Sequence, residues 1–284
     1  MELFVKGLIY QFNKYKVPAE LLVIDWNPAP DCKPLCEILP KPVNGDFLCI
    51  RYITVPPAIH QQYRFSKVLP LYQMIAKNVG IRRASADYIL CTNVDLLFSD
   101  PLMQIMSNQQ FVKDTFYRAN RKDVSSRIYD FQTVENQLSF AKYNVIRTLG
   151  KNSAYLNIHT NLPSLFYSCG LAKFLNFVFD IVQGYRNSEQ VEIEKLDTVG
   201  CGDFTLMHRN AWEAIAGYPE LDFYSIHIDT MALIAAKSLG LKQVIFPTEA
   251  CTYHIEHTNG WETLSAVERL KFIHDKPGRI RHSN

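Results

Sequence analysis

The chain has 284 residues, of which 48% are hydrophobic and 20% charged, and a formal net charge of +2. That composition fits one large α/β domain with enough apolar surface to bury a sizeable core. It excludes a basic nucleic-acid groove, and no apolar run reaches the roughly 18 residues that a transmembrane segment requires. Seven scattered cysteines lack paired C-x-x-C units. They predict reduced, mostly buried thiols in a cytoplasmic protein. Cys32 and Cys36 are the only close pair, and their loop-like surroundings argue against zinc there.

Met1 to Tyr15 predicts an amphipathic helix, with Leu3, Phe4, Val5, Leu8, Ile9 and Phe12 as its apolar face and no signal-peptide pattern. Ala19 to Trp26 predicts a strand that Asn27-Pro28-Ala29-Pro30 breaks. Asp25 near its tip suits either a loop cap or a carboxylate facing a ligand. Phe47 to Val55 is a second strand, stopped by Pro56-Pro57. His60, Arg64 and Lys67 follow, as solvated charges or as a loop closing over a diphosphate.

Gln73 to Arg83 reads as a helix, with Met74, Ala76, Val79 and Gly80 inward and Lys77, Arg82 and Arg83 basic. Asp87 to Cys91 is a short apolar run, the length of a buried strand. Polar groups then appear abruptly at Thr92-Asn93-Val94-Asp95, and ligands of open α/β sheets sit beyond the carboxyl ends of strands. In an extended chain Asn93 and Asp95 would face the same way, placed to hold a hard divalent cation carrying a diphosphate. The plainer alternative is a strand cap that begins a turn.

Ser99 or Asp100 is a candidate N-cap for a helix over Leu102 to Asn108, with Pro101 in its first turn. Thr115 to Ala119 predicts a strand, with Arg118 and Arg121 beside it and Asp123 just after. Residues 125–194 are the least legible, and their aromatic segments suit packing or an insertion shaping a pocket. Cys201 to Met207 predicts a strand, and His208 opens a helix that Gly217-Tyr218-Pro219-Glu220 ends. Asp229 opens a further helix over Thr230 to Leu239, closed by Gly240, where an N-cap and a reactive carboxylate are both open readings. Val244 to Phe246 is a last strand. In Tyr253 to His257, alternation puts His254 and Glu256 on one side. Two histidines three apart also suggest a zinc pair, with no third zinc-type ligand nearby in sequence. Residues 275–284 form a basic, polar tail.

Two of these stretches together resemble the family-2-like glycosyltransferases. Ala76-x-Asn78-x-Gly80-Ile81, Ala84, Asp87-Tyr88-Ile89 and Asn93-x-Asp95 are similar to their nucleotide-sugar half, with Asn93 at the first acid of D-x-D and Ala86 at a usual glycine. Gly202-x-Phe204, Arg209-x-x-Trp212 and Gly217-Tyr218-x-Glu220 are similar to their acceptor side. Asp229 falls where the family has the acid of an E-D pair, with Ile228 in place of the glutamate and His227 as a further partner.

The resemblance implies the glycosyltransferase A fold, an α/β domain with a mostly parallel central sheet and helices on both faces. It divides the chain into a nucleotide-sugar half (1–124), a variable insertion (125–195), an acceptor and catalytic half (196–262) and a tail (263–284). It implies transfer of a sugar, with inversion, from a UDP- or GDP-sugar to a glycan or lipid-linked hydroxyl, using Mg2+ or Mn2+, with any membrane contact peripheral. Asp25, Asn27, Asn78, Arg82, Asn93 and Asp203 would meet the nucleotide-sugar, Asp95 with His254 and His257 the metal, and Asp229 would be the base. In that family a strand precedes the opening helix inside the sheet, so a chain that opens on the helix predicts a truncated start. Two rivals stay open: a sugar-nucleotide nucleotidyltransferase, and a degenerate transferase that only binds.

Overall fold

Apolar spacing on the first fifteen residues builds α1 (Glu2–Tyr15), which buries Leu3, Phe4, Val5, Leu8 and Phe12 and ends on Lys16 in the left-handed region. The computed structural model describes residues 1–150, 153–156, 196–222, 225 and 228–257. β1 (Ala19–Trp26) and β2 (Leu48–Val55) form a parallel pair in register from Ala19↔Leu48 to Trp26↔Val55. Between and after them lie the short helices α2 (Leu35–Ile38) and α3 (Pro57–His60). α4 (Gln73–Ile81) packs against β1 and β3 (Tyr88–Thr92). Ser99 caps α5 (Asp100–Asn108) through Leu102 N, with Pro101 in the first turn, as the sequence pattern requires.

β3 belongs to a four-stranded sheet ordered β10-β5-β9-β3, with β5 (Thr115–Arg118), β9 (Phe204–His208) and β10 (Lys242–Ile245). A five-stranded sheet is ordered β4-β11-β6-β7-β8. It contains β4 (Leu96–Phe98), β6 (Asn120–Val124), β7 (Val145–Gly150), β8 (Ser153–Leu156) and β11 (Cys251–Ile255). The edge strand β4 is met by α1, whose buried Gln11 side chain donates to Phe98 O and accepts from Phe98 N. That pairing closes backbone groups which an open edge would leave bare.

The four- and five-stranded sheets are mixed, which corrects the expectation of a mostly parallel one. Among the described pairings, β1–β2, β5–β10 and β6–β11 are parallel, while β3–β9, β5–β9, β4–β11, β6–β7 and β7–β8 are antiparallel. The physical reason is β9: it enters between β5 and β3 and runs against both. The 125–150 stretch is also more regular than its sequence suggests, with a 3₁₀ turn at Ser126–Asp130 and α6 (Val134–Tyr143) before β7.

The aromatic segments between 165 and 179, His227 and the 275–284 tail lie outside the described residues. The largest fully buried side chains include Trp212, Arg118, Phe98, Phe116 and Phe204, which fill the space between helices and sheets. Of the six described cysteines, all free, Cys91, Cys201 and Cys251 are buried and Cys32, Cys36 and Cys49 are exposed, fewer buried than expected. Among the described residues no helix is long and apolar enough to cross a membrane.

Candidate metal and acid–base site

β3 ends at Thr92, the chain bends at Val94 and Asp95, and it resumes as β4. The bend breaks the two-residue alternation, so Asn93 and Asp95 serve different neighbours. β4 pairs antiparallel with β11 in the register Leu96↔His254, and Ile255 N donates to Asp95 O at 2.9 Å. This pins Asp95 beside His254. β11 stops at Ile255, which frees the next residues from strand alternation and lets His257 reach the same carboxylate.

One ligand atom from each of Asp95, His254 and His257 can be chosen so that all lie within 4.8 Å of one another. His257 Nε2 is 2.7 Å and His254 Nε2 3.4 Å from Asp95 Oδ2. Asp95 Oδ1 is enclosed and has no hydrogen-bond partner. An orphaned, buried carboxylate oxygen beside two imidazoles fits a divalent cation by donor chemistry. Burial raises the Asp95 pKa, but hydrogen bonds and charge from His254 and His257 outweigh it and hold the carboxyl down at about 2.

A charged layer stands behind these three. Asp123, opposite His254 in the parallel β6–β11 register, is buried. It accepts from Arg121 Nε and Arg147 Nε, each at 2.6 Å. Burial acts against the charged carboxylate, and the hydrogen bond to His254 and the two guanidiniums reverse that, leaving its pKa well below the usual range. Arg121 also reaches Asp203 Oδ2 at 3.2 Å and His254 Nδ1 at 2.9 Å. Asp203 is buried enough that its pKa is raised despite Arg121. Its Oδ1 accepts from Asn93 Nδ2 at 2.7 Å.

The network continues toward Asp229. Asn93 Oδ1 accepts from Gln73 Nε2 at 2.8 Å and Lys77 Nζ at 2.9 Å, and Lys77 also donates to Gly202 O at 2.8 Å. Burial lowers the Lys77 pKa, against the pull of Asp203 and Asp229 among its neighbours. A Cβ built on Gly202 would stand 3.1 Å from Asp229 Oδ2 and 3.7 Å from Asn93 Nδ2. Asp229 therefore lies across Gly202 from the end of β3. It sits in the first turn of α8 (Ile228–Ser238), and its Oδ1 accepts from Thr230 N at 2.9 Å. Burial, with Asp229 beside it, pushes the Cys201 thiol up to about 12, so this cysteine is an inert packing group.

The remaining nucleotide candidates sit elsewhere. Asn78 is buried, and its amide is consumed inside the protein. Nδ2 donates to Tyr218 O and Glu220 Oε1, and Oδ1 accepts from Tyr218 N. It holds the turn at Tyr218 from within the protein. Arg82 pairs with Glu220 and, with Asn78, lines a surface recess of about 310 Å³ that also includes Trp212 but none of the three candidate metal ligands. Asp25 lies at the end of β1 and accepts from Leu35 N at 3.3 Å, and Asn27 adopts φ 52° just beyond that strand. Asn93 is a hub rather than a metal ligand, because its oxygen is already shared by Gln73 and Lys77.

Sequence reasoning passed over Lys77, Asp123 and Arg147 as functional groups. Arg121-x-Asp123 carries a usable signal, since residues two apart on a strand share a face. Arg118 is buried and donates to the carbonyls of Phe204, Asp197 and Val199, fastening the loop that delivers Cys201, Gly202 and Asp203. No protein-family model and no curated protein matches this chain.

Proposed function

We propose that this chain is a metal-dependent glycosyltransferase of the A type, moving a sugar from a UDP- or GDP-sugar to a hydroxyl of a glycan or lipid-linked acceptor, with inversion. The observation that carries the reading is the joining of three segments distant in sequence. Asn93 at the end of β3 bonds Asp203 at 2.7 Å, Gly202 stands beside both Asn93 and Asp229, and Asp95 meets His254 and His257. A candidate metal centre and a candidate base thereby extend from one strand end, which is what transfer between two bound substrates needs.

In this reading Asp95, His254 and His257 hold Mg2+ or Mn2+. A cation held there would supply neutralising charge for a diphosphate leaving group. Asp229 accepts the proton of the acceptor hydroxyl as that oxygen attacks the anomeric carbon opposite the leaving group. Lys77 lies near Asp229 and Asp203, whose charge acts against the burial that lowers its own pKa. Asp25 and Asn27 mark the end of β1 as the nucleoside side.

Calorimetric titration of UDP and GDP, with Mn2+ and then with EDTA, tests the reading. Metal-dependent binding that Asp95→Ala abolishes is expected, followed by slow donor hydrolysis. Asp229→Asn should retain binding and lose transfer by about 100-fold or more. A folded sample that binds neither nucleotide overturns the donor site, and binding with no turnover of any donor assigns the chain to the binding-only rival.

A further inference from the structure

The surroundings of His254 carry information that the three candidate ligands alone do not. Its Nδ1 lies 3.3 Å from Asp123 Oδ1 and 2.9 Å from Arg121 Nη2. A guanidinium can only donate and a carboxylate can only accept. These two neighbours therefore demand opposite states of Nδ1. A cation on Nε2 leaves the single ring proton on Nδ1, which Asp123 accepts and Arg121 cannot. Arg121 then retains Asp123 Oδ1 through Nε at 2.6 Å and Asp203 Oδ2 through Nη1 at 3.2 Å.

Asp123 is built to hold that position. It is 6% exposed, it faces His254 by strand register, and Arg121 and Arg147 fix it from two sides. This is the carboxylate–histidine–metal arrangement in which an outer carboxylate orients the ring and raises its basicity. The ligand set points the same way. Two imidazoles and one carboxylate suit ions from manganese to zinc, whereas magnesium favours oxygen donors and a shell kept largely as water.

We propose that Asp123 is the positioning residue that turns His254 Nε2 onto the cation, and that the Asp95–His254–His257 centre selects a first-row transition ion over Mg2+. The inference rests on the metal centre of the proposed function and not on sugar transfer. It narrows the metal to the Mn2+ side of the earlier pair.

The test titrates the metal-free full chain with Mn2+, Co2+, Zn2+ and Mg2+ in the absence of nucleotide. The Co2+ visible spectrum reports nitrogen ligation. Transition ions should bind at least about 100-fold more tightly than Mg2+, and His254→Ala or His257→Ala should close that gap. Asp123→Asn should weaken Co2+ and Zn2+ by about 10- to 100-fold. Since Asp123→Asn strips two arginines of a charged partner, nitrogen-15 NMR of the unsubstituted Zn2+-loaded chain provides a second readout. It should find His254 with Nδ1 protonated and Nε2 on the metal. Equal affinity for Mg2+, unchanged affinity in a folded Asp123→Asn protein, or a metal-loaded His254 that keeps its Nε2 proton each overturn the proposal. Loss of sugar transfer with these results intact would count against the proposed reaction alone, and Mg2+-supported transfer without transition-ion preference would count against this inference alone.

Discussion

Gly202 shows how little space separates Asp229 and Asn93 from their scaffold. An added Cβ would meet Asp229 Oδ2 at 3.1 Å, closer than most real contacts, and Asn93 Nδ2 at 3.7 Å. The constraint is room rather than backbone conformation, because Gly202 is absent from the positive-φ glycines. Gly202→Ala should therefore move Asp229 by a few tenths of an ångström while the fold stands. The expected result is roughly a tenfold loss of transfer, with stability within about 1 kcal/mol of the parent by denaturant titration. Lost turnover with unchanged metal affinity would locate the damage at Asp229. Unchanged turnover would detach Asp229 from the chemistry.

One scale up, α4 is tied to the turn after α7 (Arg209–Ala214) by one amide. Asn78 satisfies both the N–H and the C=O of Tyr218 at 2.8 Å, and Gly217 makes room with φ +75° and a Cβ position already filled by the Asn78 carboxamide. Asn78→Ala leaves two buried backbone groups unpaired, so a cost of about 2–4 kcal/mol is expected in the denaturant midpoint. A cost near zero would mean that water replaces the clip. This element-level role also marks where the sequence could be read and where it could not. α1, β1, α4 and β3 carry strong periodicity and stop signals, and they fall close to where those signals place them. Asp95 with His254 and His257 was legible as a candidate because a carboxylate just past a strand and two histidines three apart are metal-ligand types. The roles of Asn78 and Arg118 were not, since a polar residue in a motif looks the same whether it faces a ligand or a backbone carbonyl. The insertion of β9 between β3 and β5 is a long-range choice that no local pattern records.

For the whole molecule, a net charge of +2 conceals a concentrated site in which Asp95, Asp123 and Asp203 face Arg121, Arg147, Lys77 and His254. Without metal, His254 itself can carry positive charge beside Asp95 and Asp123. Burial opposes its protonation, but hydrogen bonds to Asp123 and Asp95 win and raise its pKa from 6.5 to about 9. A folded pKa above the unfolded one stabilises the protonated native state. That contribution is fully present below about pH 6.5 and is lost as pH rises through about 9, with a size of about 3 kcal/mol. The lowered Asp95 pKa reports the same contact from the other side. Its share is present above pH 3.8 and is lost as pH falls through about 2, so the two are counted once. The metal-free chain should therefore lose stability between pH 6.5 and 9, measured by urea midpoints in EDTA. A cation must displace the His254 proton, so the stabilisation it brings should grow over the same interval and offset that loss. His254→Gln should flatten both profiles. A metal-free chain whose stability holds or rises from pH 6.5 to 9 would show that His254 carries no such proton and that Arg121, Arg147 and Lys77 balance the charge of the site.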